Sequence, residues 1–152
     1  MMTRSGSGVG LQGLIDNLSG LDKKEVAIGV PSSGNKIHKD SKINMATLAA
    51  IHELGAKHTP PRPFLKKTIQ DNAQKYIGLM AEGVKNSIAR GEDPNIVYEK
   101  IGLIASADVK QYIVSGNFTP LAQSTIDRKG SSKPLIDTAE MRNSISFEVR
   151  KA

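Results

Sequence analysis

The adjacent residues His52 and Glu53 are the first in the chain whose types suggest chemistry, because a His-Glu pair on a helix begins the H-E-x-x-H zinc motif. That motif needs a second histidine one helical turn later, since both imidazoles must reach one metal ion from the same face. Residue 56 is Ala56, and His58 comes after Gly55 on a proline-rich segment. The spacing therefore argues against a zinc protease.

A second candidate motif covers residues 8–13, where GVGLQG matches the glycine pattern of nucleotide-binding loops. In such sites a buried strand precedes the loop and positions backbone amides for a pyrophosphate. No strand pattern precedes residue 8, so we interpret this segment as a flexible, Gly-rich terminus. The chain has no cysteine and no G-x-S-x-G sequence. We therefore predict a non-enzymatic protein with no catalytic residue, no cofactor and no metal site.

The charge balance is basic, with 21 Lys and Arg against 15 Asp and Glu and a formal net charge of +6. Basic side chains concentrate in aperiodic segments and beside the prolines: Lys36, Lys39, Lys42, Lys57, Arg62, Lys66, Lys67, Arg128, Lys129 and Lys133. Such a set can contact DNA phosphates. However, no groove-reading motif is recognisable, and there are only three Tyr, three Phe and no Trp for base stacking. We interpret this surface as solvated or protein-facing, with a small basic DNA-binding protein as the alternative function.

The length and the apolar periodicity predict a single domain over residues 1–152. A Gly-rich start precedes a short helix that is expected to end near Gly20. The alternating run 26–30 has the period of a strand. Further on, Asn44 can cap a helix that ends at Gly55. The first 55 residues thus combine helices with one strand.

Two longer helices are predicted after the proline-rich connector, residues 57–63. Apolar residues keep a three-to-four spacing over 65–90, which predicts one helix roughly 40 Å long. Asp93 and Pro94 favour the start of a second helix that ends at Gly116. Because the turn between these helices is short, we expect an antiparallel helical hairpin.

The last predicted strand covers 145–149, where apolar and polar residues alternate, and it can pair with 26–30. The predicted fold is therefore of the α+β class, with a small antiparallel sheet packed against a long antiparallel helical hairpin. Segments 32–43 and 117–136 lack periodicity and are expected to be extended, exposed loops. His38, in the first of these loops, is expected to be partly exposed.

Two segments of the sequence indicate a function more specifically than the overall composition does. Residues 51–55 (IHELG), followed by residues 61–65 (PRPFL) at the start of a long helix, resemble the signature E-(F/L)-G … P-x-R-P-F-L. Residues 120–145 contain PLA, STI, KG, KPLIDT and MRNSI, in the order of the C-terminal half of the same family. That family comprises the tail-completion or neck proteins of tailed bacteriophages, also called virion morphogenesis or tail-component proteins. The resemblance covers about 26–149, and it departs from the family at Ala139, where glycine is expected after Asp-Thr.

The resemblance implies a structural virion protein of the neck, which completes the tail and joins it to the head connector. It implies a homo-oligomeric ring of six copies in contact with other neck proteins, the tail terminator or the tail tube. DNA would pass through this ring without specific binding. The protein would be located in the virion and, during assembly, in the host cytoplasm. No membrane contact is expected, because no apolar run approaches the ~18 residues that span a bilayer.

The resemblance also implies roles for single residues. Phe64 would anchor the connector to the core. Arg62 would bond to backbone groups or to a neighbour's carboxylate, or else would extend over its own helix toward solvent. Lys129, Lys133 and Asp137 would shape an interface loop. The full candidate interface is Lys36, Lys39, Lys42, Arg62, Phe64, Arg128, Lys129, Lys133 and Asp137.

Overall fold

A computed structural model of the chain describes residues 10–38, 42–120, 127 and 139–152. Within these residues six helices and two strands follow one another: α1 (Leu11–Ser19), β1 (Lys24–Gly29), α2 (Met45–Leu54), α3 (Phe64–Asp71), α4 (Ala73–Arg90), α5 (Ile96–Ser115), α6 (Glu140–Ser144) and β2 (Ser146–Lys151). The fold belongs to the α+β class and is mostly helical, as predicted. In this part of the chain, no helix combines the length and the apolar character that a membrane span requires.

The two strands form an antiparallel sheet, which confirms the predicted pairing. Val26 lies opposite Val149, and Ile28 lies opposite Phe147. Both strands contact α5. The Phe147 ring lies so close to Gly102 of α5 that a methyl group added to this glycine would overlap it. Close approach between the sheet and α5 therefore requires glycine at this position.

Helices α4 and α5 form the antiparallel hairpin that the sequence predicts. Near the start of α4, the Tyr76 hydroxyl donates to Asp108 Oδ2 over 2.7 Å, in the second half of α5. Farther along α4, Gly83 lies against Val97 near the start of α5. The start of α4 thus lies beside the second half of α5, and a later part of α4 lies beside the start of α5, as antiparallel packing requires. Gly91 ends α4 with a φ of 69°, the left-handed conformation that glycine adopts without strain.

The start of α5 lies slightly later than the sequence suggests. Asp93 and Pro94 precede the first helical residue, Ile96. The Asp93 carboxylate accepts the backbone N–H of Asn95 over 2.9 Å and its side-chain amide over 2.8 Å. These hydrogen bonds lower the pKa of Asp93 below its ordinary value. Asp93 thus stabilises the turn that leads into the helix.

The prediction of one continuous helix over 65–90 is wrong, because Asn72 separates α3 from α4. Both the backbone N–H and the side-chain Nδ2 of Asn72 donate to the carbonyl oxygen of Thr68, over 3.1 and 2.9 Å. Thr68 Oγ1 in turn donates to the carbonyl oxygen of Phe64 over 2.6 Å. Side-chain hydrogen bonds of this kind compete with the helical ladder and bend helices.

The main core lies where α3, α5 and α6 meet the start of α2. Its buried apolar side chains are Met45, Phe64, Val109, Ile113, Met141 and Ile145. Burial of apolar surface is the dominant favourable term in folding, so these contacts hold together segments far apart in the sequence. The connector between α2 and α3 leads directly into this core, because the residue that follows it is the buried Phe64.

The described part of the loop 32–43 is more ordered than the sequence suggests. Ser32–Gly34 form a 3-10 turn, and Ile37 pairs with Asn44 in an isolated bridge. The backbone N–H of His38 donates to the carbonyl oxygen of Ile43, and only 5% of His38 is exposed. The expected exposure of His38 is therefore wrong, because this hydrogen-bonded turn folds the residue back toward the protein. Residues 39–41 and most of the loop 117–136 lie outside the described residues.

Candidate functional site

The first signature segment ends α2 at a position that only glycine suits. Gly55 has a φ of 80°, in the positive region where other residues are strained. A Cβ added to Gly55 would also lie 3.0 Å from the backbone nitrogen of Pro61 and from the carbonyl oxygen of Thr59. Between them, Ala56 and Thr59 close a tight turn with two backbone hydrogen bonds of 2.8 and 3.0 Å. The chain therefore reverses at Gly55 and places the prolines beside the end of α2.

Glu53 uses its carboxylate to cap α3. Its two oxygens accept the backbone N–H groups of Leu65 and Lys66, over 2.8 and 2.9 Å. Helix N-termini leave N–H groups without intrahelical partners and carry partial positive charge, so an acidic side chain is favourable there. One residue before Glu53, the carbonyl oxygen of His52 accepts the N–H of Arg62 over 2.7 Å. The Glu53 carboxylate thus has an architectural role that involves no metal ion.

Arg62 and Phe64 lie inside the molecule. Only 3% of Arg62 is exposed, and its Nε donates to the carbonyl oxygen of Thr119 over 2.9 Å. Its Nη2 donates to that of Pro120 over 3.4 Å. Burial lowers the pKa of the guanidinium from its ordinary value. Of the roles considered for Arg62, hydrogen bonding to backbone is confirmed, and extension toward solvent is wrong.

Phe64 is buried in the main core, as expected of an anchor for the connector. Together, Glu53, Gly55, Arg62 and Phe64 form a set that we call the connector cluster. It joins the end of α2, the prolines, the start of α3 and the segment that follows α5. Since Arg62 and Phe64 are buried within the chain, neither offers an exposed surface to another molecule in this structure.

The remaining candidate interface residues are only partly described. Lys36 and Lys42 are exposed on the two sides of the undescribed residues 39–41. Elsewhere in the basic set, Lys67 forms an ion pair of 2.7 Å with Asp71, and this hydrogen bond raises the pKa of Lys67. The other candidate residues lie outside the described residues: Lys39, Arg128, Lys129, Lys133 and Asp137.

Sequence reasoning missed two apolar surfaces. On α1, Leu11, Ile15 and Leu18 are 77%, 48% and 38% exposed. On α5, Ile96 and Leu103 are 47% and 61% exposed. One signal was available for α5, because these two residues lie seven positions apart and outside the buried face of that helix. For α1 the periodicity alone could not distinguish a face that packs from one that remains exposed.

No described set of three or more His, Asp and Glu side chains is placed so that it could hold a metal ion. The contacts described for the connector cluster are hydrogen bonds, helix capping and apolar packing. In comparisons with known proteins, no family model, no curated protein and no solved structure matches this chain.

Proposed function

We propose that this chain is a structural protein of the neck of a tailed phage, where it closes into a ring that completes the tail and joins it to the head connector. One observation carries the proposal. The signature residues Glu53, Gly55, Arg62 and Phe64 come together in the connector cluster, and each makes a structural contact there. The resemblance thus rests on residues with an architectural role, as expected of an assembly protein.

The connector cluster also fixes backbone beyond the end of α5. Arg62 binds the carbonyl oxygens of Thr119 and Pro120, 57 and 58 residues further along the chain. The proposed virion protein needs a rigid body of this kind, because contacts with neighbouring subunits require surfaces held in defined positions.

The exposed apolar residues favour contacts with other subunits. Contiguous apolar surface marks interaction sites, and Leu11, Ile15 and Leu18 are exposed along one face of α1. When two different surfaces on each subunit meet head to tail, the contacts close into a ring if the rotation per subunit allows it.

This function can be tested by disrupting the reading frame that encodes the chain. The proposal expects filled heads and unattached tails in electron micrographs, and joined particles again when the wild-type chain is supplied in trans. Normal yields of joined, infectious particles without the chain would overturn it. If, in addition, the purified monomer bound duplex DNA with an affinity that falls steeply with salt, the DNA-binding alternative would replace it.

A further inference from the structure

A cavity of about 520 Å³ opens where the loop that follows β1 meets α6. Met45 at the start of α2 and Ile37 contribute apolar side chains to its lining, and Lys36 contributes a charged one. Met45 is 3% exposed and forms the inner part of the lining, whereas Ile37 is 64% exposed and lies at the mouth. A volume of this size falls within the range of ligand-binding pockets. We call this space the loop cavity.

The backbone of Ile37 is open to a further strand. Ile37 and Asn44 pair in an isolated antiparallel bridge, whose two hydrogen bonds are donated by the N–H groups of His38 and Met45 over 2.7 and 2.9 Å. Because the flanking residues make these bonds, the N–H and C=O of Ile37 itself point away from Asn44. Among the described residues they have no hydrogen-bond partner. An open backbone edge of this kind is what an added strand recognises.

The charge around the loop cavity is positive. Lys36 and Lys42 are exposed on the loop, and Arg142 follows on α6. The Glu140 carboxylate belongs to the lining, but it lies 3.9 Å from His38 Nε2 and only 22% of its side chain is exposed. Residues 39–41 add one Lys and one Asp, and residues 121–138, which precede α6 in the chain, add three basic and two acidic residues. The balance therefore favours an acidic ligand.

We propose that the loop cavity and the open edge of Ile37 bind an extended, acidic segment of a different protein. The backbone of that segment pairs with the N–H and C=O of Ile37, as when a strand is added to a sheet edge. One apolar side chain of the segment enters the cavity toward Met45. Side chains two positions apart lie on the same side of a strand, so an acidic residue two positions away pairs with Lys36. The site goes beyond the proposed ring, because it does not depend on contacts between copies of this chain.

Selection from a displayed library of random peptides, each about nine residues long and thus able to form a strand, tests the site on the full-length chain. The enriched peptides should share an apolar residue with an Asp or Glu two positions away. No enrichment over the unselected library would overturn the proposal. Enriched peptides that lack this acidic residue would overturn it as well.

Two matched substitutions locate the bound peptide. Lys36 in the loop cavity and Lys85 on α4 are both exposed, so Lys36→Glu and Lys85→Glu change the net charge equally and leave the core intact. Lys36→Glu should weaken binding of an enriched peptide by about tenfold or more, because a charge-assisted pair becomes a repulsive one. Lys85→Glu should bind like the wild type, since charges beyond about 10 Å are screened. Equal affinities of the two variants, measured by fluorescence polarisation, would overturn the assignment to this cavity.

N-methylation of the enriched peptide, one backbone amide at a time, tests the strand pairing without a change in the protein. Alternate N–H groups of a strand point to the same neighbour. Methylation of the amide that donates to Ile37 should therefore weaken binding by about tenfold, whereas methylation of the amides next to it should not. The same effect at every amide, or no effect at any, would overturn the pairing with Ile37.

Discussion

Replacement of Arg62 by alanine tests the connector cluster at its most buried polar contact. The guanidinium is 3% exposed and bonds to two carbonyl oxygens, at Thr119 and Pro120. Arg62→Ala removes both donors and leaves these oxygens without the partner that they have in the structure. We expect a less stable protein in which the backbone at Thr119 and Pro120 is no longer held.

The two hydrogen bonds determine the size of the effect. A hydrogen bond to a charged group contributes about 1.5–3 kcal/mol. The Nε bond to Thr119, at 2.9 Å, has full strength, whereas the Nη2 bond to Pro120, at 3.4 Å, contributes little. Loss of packing around the aliphatic stem adds about 1 kcal/mol, and relief of the buried charge subtracts a similar amount. The expected loss of about 1.5–3 kcal/mol lowers Tm by roughly 3–12 °C for a chain of this size.

Thermal unfolding followed by circular dichroism measures this change, with Arg62→Met as the matched control. Methionine keeps most of the apolar stem and removes the donors, so its Tm should fall nearly as far as that of the alanine variant. Arg62→Lys retains the charge with a different donor geometry and should lie between the wild type and Arg62→Met. A Tm for Arg62→Ala within about 2 °C of the wild type would refute the reasoning, because the hydrogen bonds would then contribute nothing measurable.

Three further substitutions test other contacts by chemical denaturation. Gly102→Ala should destabilise the protein by about 1–3 kcal/mol, because its new methyl group overlaps the ring packed on α5. Gly78→Ala, with nothing within 4 Å of the added methyl, is its control and should be neutral or stabilising; equal effects at the two glycines would contradict the packing. Ala139→Gly should stabilise by about 1 kcal/mol, since Ala139 has a φ of 61°, and a loss of stability there would show that this strain is absent. Glu53→Gln should lower stability by about 1 kcal/mol through loss of negative charge at the start of α3, and an unchanged midpoint would argue against the cap.

The elements that sequence reasoning located correctly are those with local signals. Asn44 caps α2 by accepting the N–H of Thr47 over 2.8 Å, and Gly55 ends that helix. The strands follow from alternating apolar residues, and their pairing follows from the need to bury that face against a helix. Even the departure from the family pattern at Ala139 coincides with a left-handed backbone conformation, which the expected glycine would adopt without strain.

The features that sequence reasoning missed depend on contacts between distant or weakly patterned residues. The apolar spacing continues through Asn72, so the break between α3 and α4 is seen only in the backbone angles of Asn72, φ −104° and ψ 7°, and in its side-chain hydrogen bond to Thr68. The partners of Arg62 lie 57 and 58 residues further along the chain, and no local pattern indicates them. The burial of His38 depends on a turn closed by a hydrogen bond to Ile43. Such contacts become visible only in the folded chain.

The mass of the purified wild-type chain, measured by light scattering at moderate salt over a range of concentrations, tests the central claim most directly. A closed ring of the proposed size would have about six times the mass of the 16.3 kDa chain, and that mass would stay constant as the concentration changes. A mass of 16.3 kDa at every concentration would contradict a chain that closes into a ring by contacts between its own copies.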